Sequence, residues 1–207
     1  MMRLLFLLPA GALLLGGCLP GAGPAIDIAE HDLPPIMVGA PPALNIDAVS
    51  VEAASWLSDT GINYRLNYAE ASRRRAYGHS RWAAPPAELV ERVLMRHLIE
   101  SQPGRHGGCR INITLTEFAQ EFASPTHSDF VVEARVFLLP ARGERVLARR
   151  IFVQRSAAPS ADAAGGIDAA RASLQALAVS MLHHWLADLR AERPYLAEAC
   201  RSNGSAR

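Results

Sequence analysis

Residues 77–86 read Tyr77-Gly78-His79-Ser80-Arg81-Trp82-Ala83-Ala84-Pro85-Pro86, and they lead directly into an amphipathic helix. Proline is tolerated in a first helical turn because its missing N–H has no partner to lose there. The helix is predicted to end at Pro103-Gly104, and its apolar face consists of Leu89, Val90, Val93, Leu94, His97 and Leu98. A large aromatic residue just before a helix is usually a packing residue, so we expect Trp82 to cover the seam between the helix and the sheet. We expect Arg81 to act there as a structural hydrogen-bond donor.

Upstream of this helix, two strands are predicted. The first begins at Leu44. The second spans Ile62–Tyr68, where apolar and aromatic residues alternate with Asn63, Arg65 and Asn67. Period-two alternation is typical of a strand with one wet face. The adjacent Arg73-Arg74-Arg75 is interpreted as a solvated loop, with contact to anionic lipid headgroups as the weaker alternative.

Downstream of the helix, alternation predicts three more strands, and turn residues at 140–143 predict that the last two form a hairpin. The three strands are residues 111–116, 132–138 and 145–155, with residues 117–128 interpreted as a link between the first two. A long helix follows at about Ile167–Arg190 and ends before Pro194. This order predicts an α+β fold, an antiparallel-dominated sheet with two helices packed on one face.

The N-terminal segment has the organisation of a secretory signal. A short basic start precedes the apolar run Leu4–Leu15, which is too short to span a bilayer, and then Gly16-Gly17-Cys18. This resembles the lipobox of bacterial lipoproteins, which implies that residues 1–17 are removed and that Cys18 becomes an acylated, palmitate-bearing first residue. Leu19 in place of Asp implies the outer membrane. The alternative is an ordinary signal peptide with an unrelated cysteine.

The remaining chain divides by composition. Residues 18–43 contain several Pro and Gly residues and are predicted to be a lipidated N-terminus and flexible tether, with local docking of its few aliphatic residues. Residues 44–200 are predicted to form one α+β domain, and residues 201–207 a mobile tail.

Charge excludes nucleic acid as a partner. All 21 basic residues are Arg, they are nearly balanced by 20 acidic residues, and no long basic stretch could follow a phosphate backbone.

Two cysteines remain once Cys18 is assigned to the anchor. A lipoprotein body lies in an oxidising compartment, so a Cys109–Cys200 disulfide is expected. Two unpaired thiols are the alternative, because sequence alone does not place the two Cα atoms close together.

Neither a catalytic site nor a metal or cofactor site is predicted. His183 and His184 are adjacent in a helix and point about 100° apart, so they cannot act as paired ligands. His97 lies within an apolar helix face and is interpreted as a packed residue. No phosphate-binding glycine loop and no nucleophile elbow occur in the sequence, so we expect that the protein is not an enzyme.

The segment from Tyr77 through Ser80, Arg81 and Trp82 to Pro85-Pro86, with Ile62-Asn63-Tyr64-Arg65 upstream, resembles the ABC-type transport auxiliary lipoprotein family. This is the group of outer-membrane lipoproteins, including the paraquat-inducible type, that accompany MCE-domain lipid transporters. The resemblance covers roughly Leu44 to Leu189.

The resemblance implies a lipoprotein that faces the periplasm and docks an MCE assembly of an ABC transporter at the outer membrane. A structural lipoprotein of another envelope assembly or secretion machine is the alternative. The expected partner surface is an exposed feature, either an uncovered sheet edge or the polar side of the strand Ile62–Tyr68, where Arg65 and Asn67 project. A homo-oligomer is compatible with this role.

Overall fold

The computed structural model describes residues 27–37, 41–101 and 107–201. The predicted signal peptide, Cys18 and most of the predicted tail lie outside the described residues. Within them, the strands are β1 (Ala29–His31), β2 (Ile46–Ala53), β3 (Gly61–Leu66), β4 (Glu70–Trp82), β5 (Cys109–Ser124), β6 (His127–Leu139) and β7 (Ala148–Ala157). The helices are α1 (Pro86–Ser101), α2 (Ala163–Ala178), α3 (Leu186–Glu192) and α4 (Tyr195–Ala199), with a π-helical segment at Val179–Trp185 and a 3₁₀ turn at Ser55–Leu57.

All seven strands of the described chain belong to one sheet, in which six follow the order β1-β4-β3-β5-β6-β7 and the seventh, β2, pairs with β5 outside this order. Strands β2 and β3 lie end to end along the same side of the long β5, and both run parallel to it. The pairs β3–β4, β5–β6 and β6–β7 are antiparallel, whereas β1 runs parallel to β4. The predicted α+β class and the antiparallel-dominated sheet are confirmed.

One face of the sheet carries the core. Alternation along β6 points Phe130, Val132, Ala134, Val136 and Leu138 toward the helices, and none of these side chains has measurable exposure. Apolar residues of α1, α2 and α3 complete a single cluster with them. The helical periodicity of 3.6 and the strand periodicity of 2 thus bring two apolar surfaces into contact.

The long C-terminal helix begins earlier than the apolar periodicity indicates. Asp162 caps α2, since its side chain accepts a hydrogen bond from the Gly165 N–H at 2.8 Å. This contact and the Ser160 hydroxyl lower the pKa of the Asp162 carboxyl. The helix then passes through the π-helical segment Val179–Trp185 before it continues as α3.

Two predicted connections are in fact strand. Residues 117–124 continue β5, because a register shift after Leu115 lets Phe118 and Phe122 turn their rings to the core face. The arginine triplet at 73–75 lies inside β4 instead of a solvated loop. Long charged side chains are compatible with this strand because Arg74 and Arg75 each find a carboxylate partner.

The predicted tether is packed over part of its length. Residues 29–31 form β1, and Leu33 and Ile36 are buried in the core. The Gln175 side chain of α2 holds the Met37 backbone through two hydrogen bonds, of 2.7 Å to its N–H and 2.6 Å to its carbonyl. Because Leu33 and Ile36 are buried and α2 binds the Met37 backbone, the folded body starts before residue 44.

The predicted bridge between Cys109 and Cys200 is present, with a Cα–Cα distance of 4.6 Å. It joins the first residue of β5 to the residue that follows α4, and both cysteines are buried. The C-terminal end of the described chain is thereby fixed to the sheet.

Candidate docking surface

The second face of the sheet is largely open, and we call it the open face. It carries Ser50 and Glu52 of β2, Asn112 and Thr114 of β5, Arg135 of β6, and Ile151 and Val153 of β7, all partly or fully exposed. These residues alternate with the core residues of the same strands. The helices cover the opposite side, so the open face is the broadest sheet surface available to a partner.

Glu117 is the centre of a charge cluster on the open face. Its carboxylate accepts hydrogen bonds from Arg74 at 2.8 and 2.9 Å, from Arg65 at 2.6 Å, and from the Phe118 N–H at 3.0 Å. Its side chain is only 11% exposed. A carboxylate that is nearly removed from water needs such donors, so the two arginines are structural partners of Glu117.

The two candidate partner residues therefore differ. Arg65 is 29% exposed and is bound by Glu117, so its charge is already engaged. Asn67 is exposed just beyond β3, where its N–H donates to the Phe122 carbonyl at 2.9 Å. The predicted wet side of this strand is also partly covered, because Asn63 is buried. Asn67 has the more accessible side chain of the two candidates.

Sequence reasoning did not identify Glu117 as the residue that organises this region. No local pattern marks it, because its donors lie 43 and 52 residues earlier in the chain. At the hairpin tip, Arg75 and Arg73 similarly contact Glu70, and the hydrogen bond from Arg75 lowers the pKa of Glu70.

The segment from Tyr77 to Pro86 joins the sheet to α1. The Trp82 ring is 1% exposed and lies 5.6 Å from Phe118 and 6.5 Å from Phe130, centroid to centroid. Pro86 is the first residue of α1, and the Pro85 carbonyl accepts the N–H groups of residues 88 and 89. Trp82 is thus a core residue at the start of the helix.

Two residues of this segment, Ser80 and Arg81, contact β1 at the edge of the sheet. Ser80 lies opposite Ala29 in the parallel β1–β4 pair. Arg81 donates its Nε–H to Glu30 at 3.1 Å, which agrees with the expected donor role. These contacts fasten the N-terminal segment to the edge of β4.

A second polar cluster connects Tyr77 with the start of α2. The Tyr77 hydroxyl donates to Gln120 at 2.8 Å, and Gln120 donates to Ser128 at 2.8 Å. Burial raises the pKa of Tyr77, so the phenol stays protonated as a donor. A Cβ on Gly166 would lie 2.2 Å from the Gln120 side chain, so glycine is required for this close approach. The cluster is a fully paired network within the fold.

A cleft of about 600 Å³ lies beside the start of β7, between this strand and α3. Its lining includes Val146, Arg149, Trp185, Glu192 and Arg193, with charges of both signs. The described residues contain no group of three His, Cys, Asp or Glu side chains placed to hold a metal. His97 is buried, in agreement with its interpretation as a packed residue.

The helices of the described chain do not reach the length and apolarity that a membrane crossing requires.

Comparison with known proteins gives a family and a fold. The model of the family described as ABC-type transport auxiliary lipoprotein component matches residues 34–181. The crystal structure of a Xanthomonas campestris protein of family DUF330 is 18% identical, with a TM-score of 0.67, and the match covers 81% of this chain and 99% of that protein. A second crystal structure, of an uncharacterized protein, has 14% sequence identity and a TM-score of 0.56, and the match covers 80% of this chain and 98% of that protein. No curated protein matches the chain.

Proposed function

The chain belongs to the family of ABC-type transport auxiliary lipoprotein components, and we propose that it is a non-catalytic outer-membrane lipoprotein that docks the periplasmic MCE assembly of a lipid transporter. The observation that carries this proposal is the extent of the family match. Residues 34–181 include the sheet from β2 to β7, α1 and α2, so the match covers most of the packed body.

The start of β1 supports a body held close to the membrane. With an anchor at Cys18, eleven residues lead to Ala29, where β1 begins. Even fully extended at ~3.3 Å per residue, they would reach only about 36 Å. The proposed lipoprotein therefore holds its sheet near the bilayer, with β1 at the anchored edge.

The open face supports docking of a protein partner. Its exposed polar, charged and aliphatic side chains resemble the mixture found at non-obligate interfaces. We include Asn67 and the rim around Arg65 in the proposed partner surface. Neither a resident cofactor nor a reaction is part of this proposal.

Lipidation is tested with Cys18→Ser in cells supplied with labelled palmitate. The variant should accumulate as an unprocessed precursor without label, because the acylated thiol is gone. Fractionation of the wild-type protein should place it in the outer membrane. Incorporation of palmitate by the variant would contradict the anchor, and recovery with the inner membrane would contradict the location.

Docking is tested by detergent pull-down with the full-length wild-type lipoprotein and identification of retained MCE and ABC-transporter components. Asn67→Glu should weaken retention without lowering the melting temperature, since an exposed rim charge affects association more than folding. Asn67→Ser serves as the neutral control. Retention of components from a different envelope machine would favour the alternative assembly, and loss of every transporter component from the wild-type sample would contradict the proposed function.

A further inference from the structure

The strand edges of the described sheet are protected to very different degrees. Beside α1, the Val51 N–H of β2 donates to the Glu91 carboxylate at 2.7 Å, and the Val49 N–H contacts the Met95 sulfur at 3.1 Å. Helix α1 thus satisfies two amides on the side of β2 that faces away from β5. At the anchored edge, β1 covers residues 80–82 of β4. Such coverage is how native sheets avoid unwanted pairing.

Strand β7 lacks comparable protection. It is ten residues long, contains no proline, and pairs with β6 along its whole length without a register shift. It ends the strand order, so no described strand pairs with its other side. By contrast, the β3–β4 pair at the other edge contains two register shifts, which interrupt a regular edge.

The register identifies the amides at the free edge of β7. Just beyond the strand, the Ala158 N–H donates to the Ser128 carbonyl at 2.8 Å. In an antiparallel pair, hydrogen-bonded positions recur at every second residue, so the even-numbered residues of β7 bond to β6. The N–H and C=O groups of Arg149, Ile151, Val153 and Arg155 therefore point away from the sheet.

The same four residues place their side chains on the open face, opposite to the buried Phe152. Ile151 is 60% exposed and Val153 is 50% exposed. Arg149 is exposed and has no ion-pair partner among the described residues, whereas Arg155 is half exposed and bound on one side by Glu121. The free edge thus presents two aliphatic residues between two cationic ones.

We propose that β7 accepts an added strand from a partner protein: an extended segment in which two aliphatic residues alternate between two acidic residues. Main-chain hydrogen bonds would supply affinity, and the alternating side chains would supply specificity. Aliphatic residues would cover Ile151 and Val153, and the flanking carboxylates would lie near Arg149 and Arg155. This deepens the proposed function, on which it rests, by giving the transporter partner a defined contact.

Charge argues against a second copy of the chain as the occupant. Strand β7 contains no acidic residue, so a β7 strand from a second copy offers no carboxylate to Arg149 or Arg155 in any register. Antiparallel pairing about Phe152 would even place Arg149 of one copy opposite Arg155 of the other. Like charges directly opposite are destabilising in a sheet. The free part of β4 also carries arginines, at 73–75, so β7–β4 pairing would bring together two basic edges.

The position of β7 in the sheet favours a periplasmic occupant. Strand β7 and the anchored edge, formed by β1 and β4, are at opposite ends of the strand order. With neighbouring strands about 4.8 Å apart, the five spacings between β1 and β7 separate these edges by about 24 Å. An anchor that reaches the sheet at β1 leaves the β7 edge accessible to a protein in the periplasm.

The test uses the full-length lipoprotein in detergent micelles and two fluorescent peptides. The first is Thr-Glu-Thr-Val-Thr-Val-Thr-Glu-Thr, and the second has Lys in place of both Glu residues. We expect the acidic peptide to bind at least tenfold more tightly. Arg149→Glu should abolish this preference, because it replaces an unpaired cation at the edge with an anion.

Val153→Pro separates strand addition from charge attraction. It removes an outward N–H while the β6–β7 hydrogen bonds remain, so binding of the acidic peptide should fall at least tenfold. Val153→Thr keeps the N–H and the branched shape and should bind within twofold of wild type. Melting curves verify that each variant is folded. Equal binding of the two peptides, or unchanged binding by a folded Val153→Pro protein, would overturn the proposal.

Pull-down separates this inference from the proposed function. Reduced retention of transporter components by Arg149→Glu and Val153→Pro, with normal retention by Val153→Thr, would support strand addition in the complex. Normal retention by all three variants would overturn the β7 contact and leave the proposed function intact. Loss of transporter components from the wild-type sample would overturn the proposed function, whereas the peptide measurements would still decide what the β7 edge binds. Crosslinking of β7 to a second copy would overturn the choice of occupant.

Discussion

The two faces of the sheet are formed by the same strands but differ in composition and burial. The covered face consists mainly of apolar side chains, which pack with α1, α2 and α3 in one hydrophobic cluster. The open face carries hydroxyl, amide and charged side chains, with apolar exposure concentrated at β7. Period-two alternation produces both faces from one sequence pattern. The difference indicates that stability depends mainly on one face, while the other remains available for association.

The strongest test of this contrast is Trp82→Ala against Trp56→Ala. Trp82 is 1% exposed in the core, whereas Trp56 is 54% exposed. Removing a buried aromatic leaves a cavity, so Trp82→Ala should lower the free energy of unfolding by about 3–5 kcal/mol. The exposed control should change it by less than about 0.5 kcal/mol. Urea unfolding measures both, and equal losses would contradict the assignment of stability to the covered face.

The second test removes the disulfide that links the residue after α4 to the first residue of β5. Cys109→Ser with Cys200→Ser opens a bridge between residues 91 positions apart. The loss of cross-linking in the unfolded chain should cost about 2–4 kcal/mol. Thermal unfolding of the double variant measures this, and peptide mapping without reductant should find the linked pair in the wild-type protein. Two freely alkylated thiols would contradict the bridge.

The third test concerns Glu117, a nearly buried charged residue on the otherwise exposed open face. Glu117→Gln removes the charge that binds Arg65 and Arg74 and leaves both guanidinium groups poorly paired. We expect a loss of roughly 2 kcal/mol in the free energy of unfolding, since hydrogen bonds to charged groups are the stronger class. Glu52→Gln, on the same face but exposed, is the matched control and should be nearly neutral. Equal effects would show that the cluster has no special structural role.

The smallest expected effect concerns the cap of the covering helix. Asp162→Ala should cost about 1 kcal/mol, because the Gly165 N–H loses its acceptor. The folded-state pKa of Asp162 is lowered, so its stabilisation is present above the unfolded pKa, near 3.9, and is lost as the pH falls through the folded value. Urea unfolding of both proteins between pH 3 and pH 7 should show the difference shrinking in acid. A difference that grows in acid would contradict this role.

The elements with regular periodicity could be predicted from the sequence, and those stabilised by distant partners could not. Helix α1, the β6–β7 hairpin and the long C-terminal helix follow from apolar spacing and from proline and turn residues. The arginine triplet at 73–75 had no local signal for a strand, because the carboxylate of Glu117 that accommodates Arg74 is contributed by β5. The later part of β5 has the sequence pattern of a link, because a register shift interrupts its alternation.

The sequence likewise predicts only part of the candidate partner surface. Its location on the polar side of β3 followed from alternation, but the engagement of Arg65 by Glu117 depends on a contact across 52 residues. An uncovered sheet edge is the other alternative that the sequence predicts, but no local pattern shows that β7 forms this edge. Strand β7 carries apolar residues on both faces, so the local pattern does not assign its buried side, whereas packing places Phe152 inside and Ile151 outside.

The sequence by itself determined the two periodicities, the helix boundaries set by proline, and the cysteine pair available for a bridge, because these depend on residues within a few positions or on simple counting. The tertiary structure decided which charges are neutralised, how β2 and β3 share one side of β5, and which strand edge remains free. Those outcomes depend on long-range pairing and burial, which bring residues far apart in the chain into contact and leave others exposed.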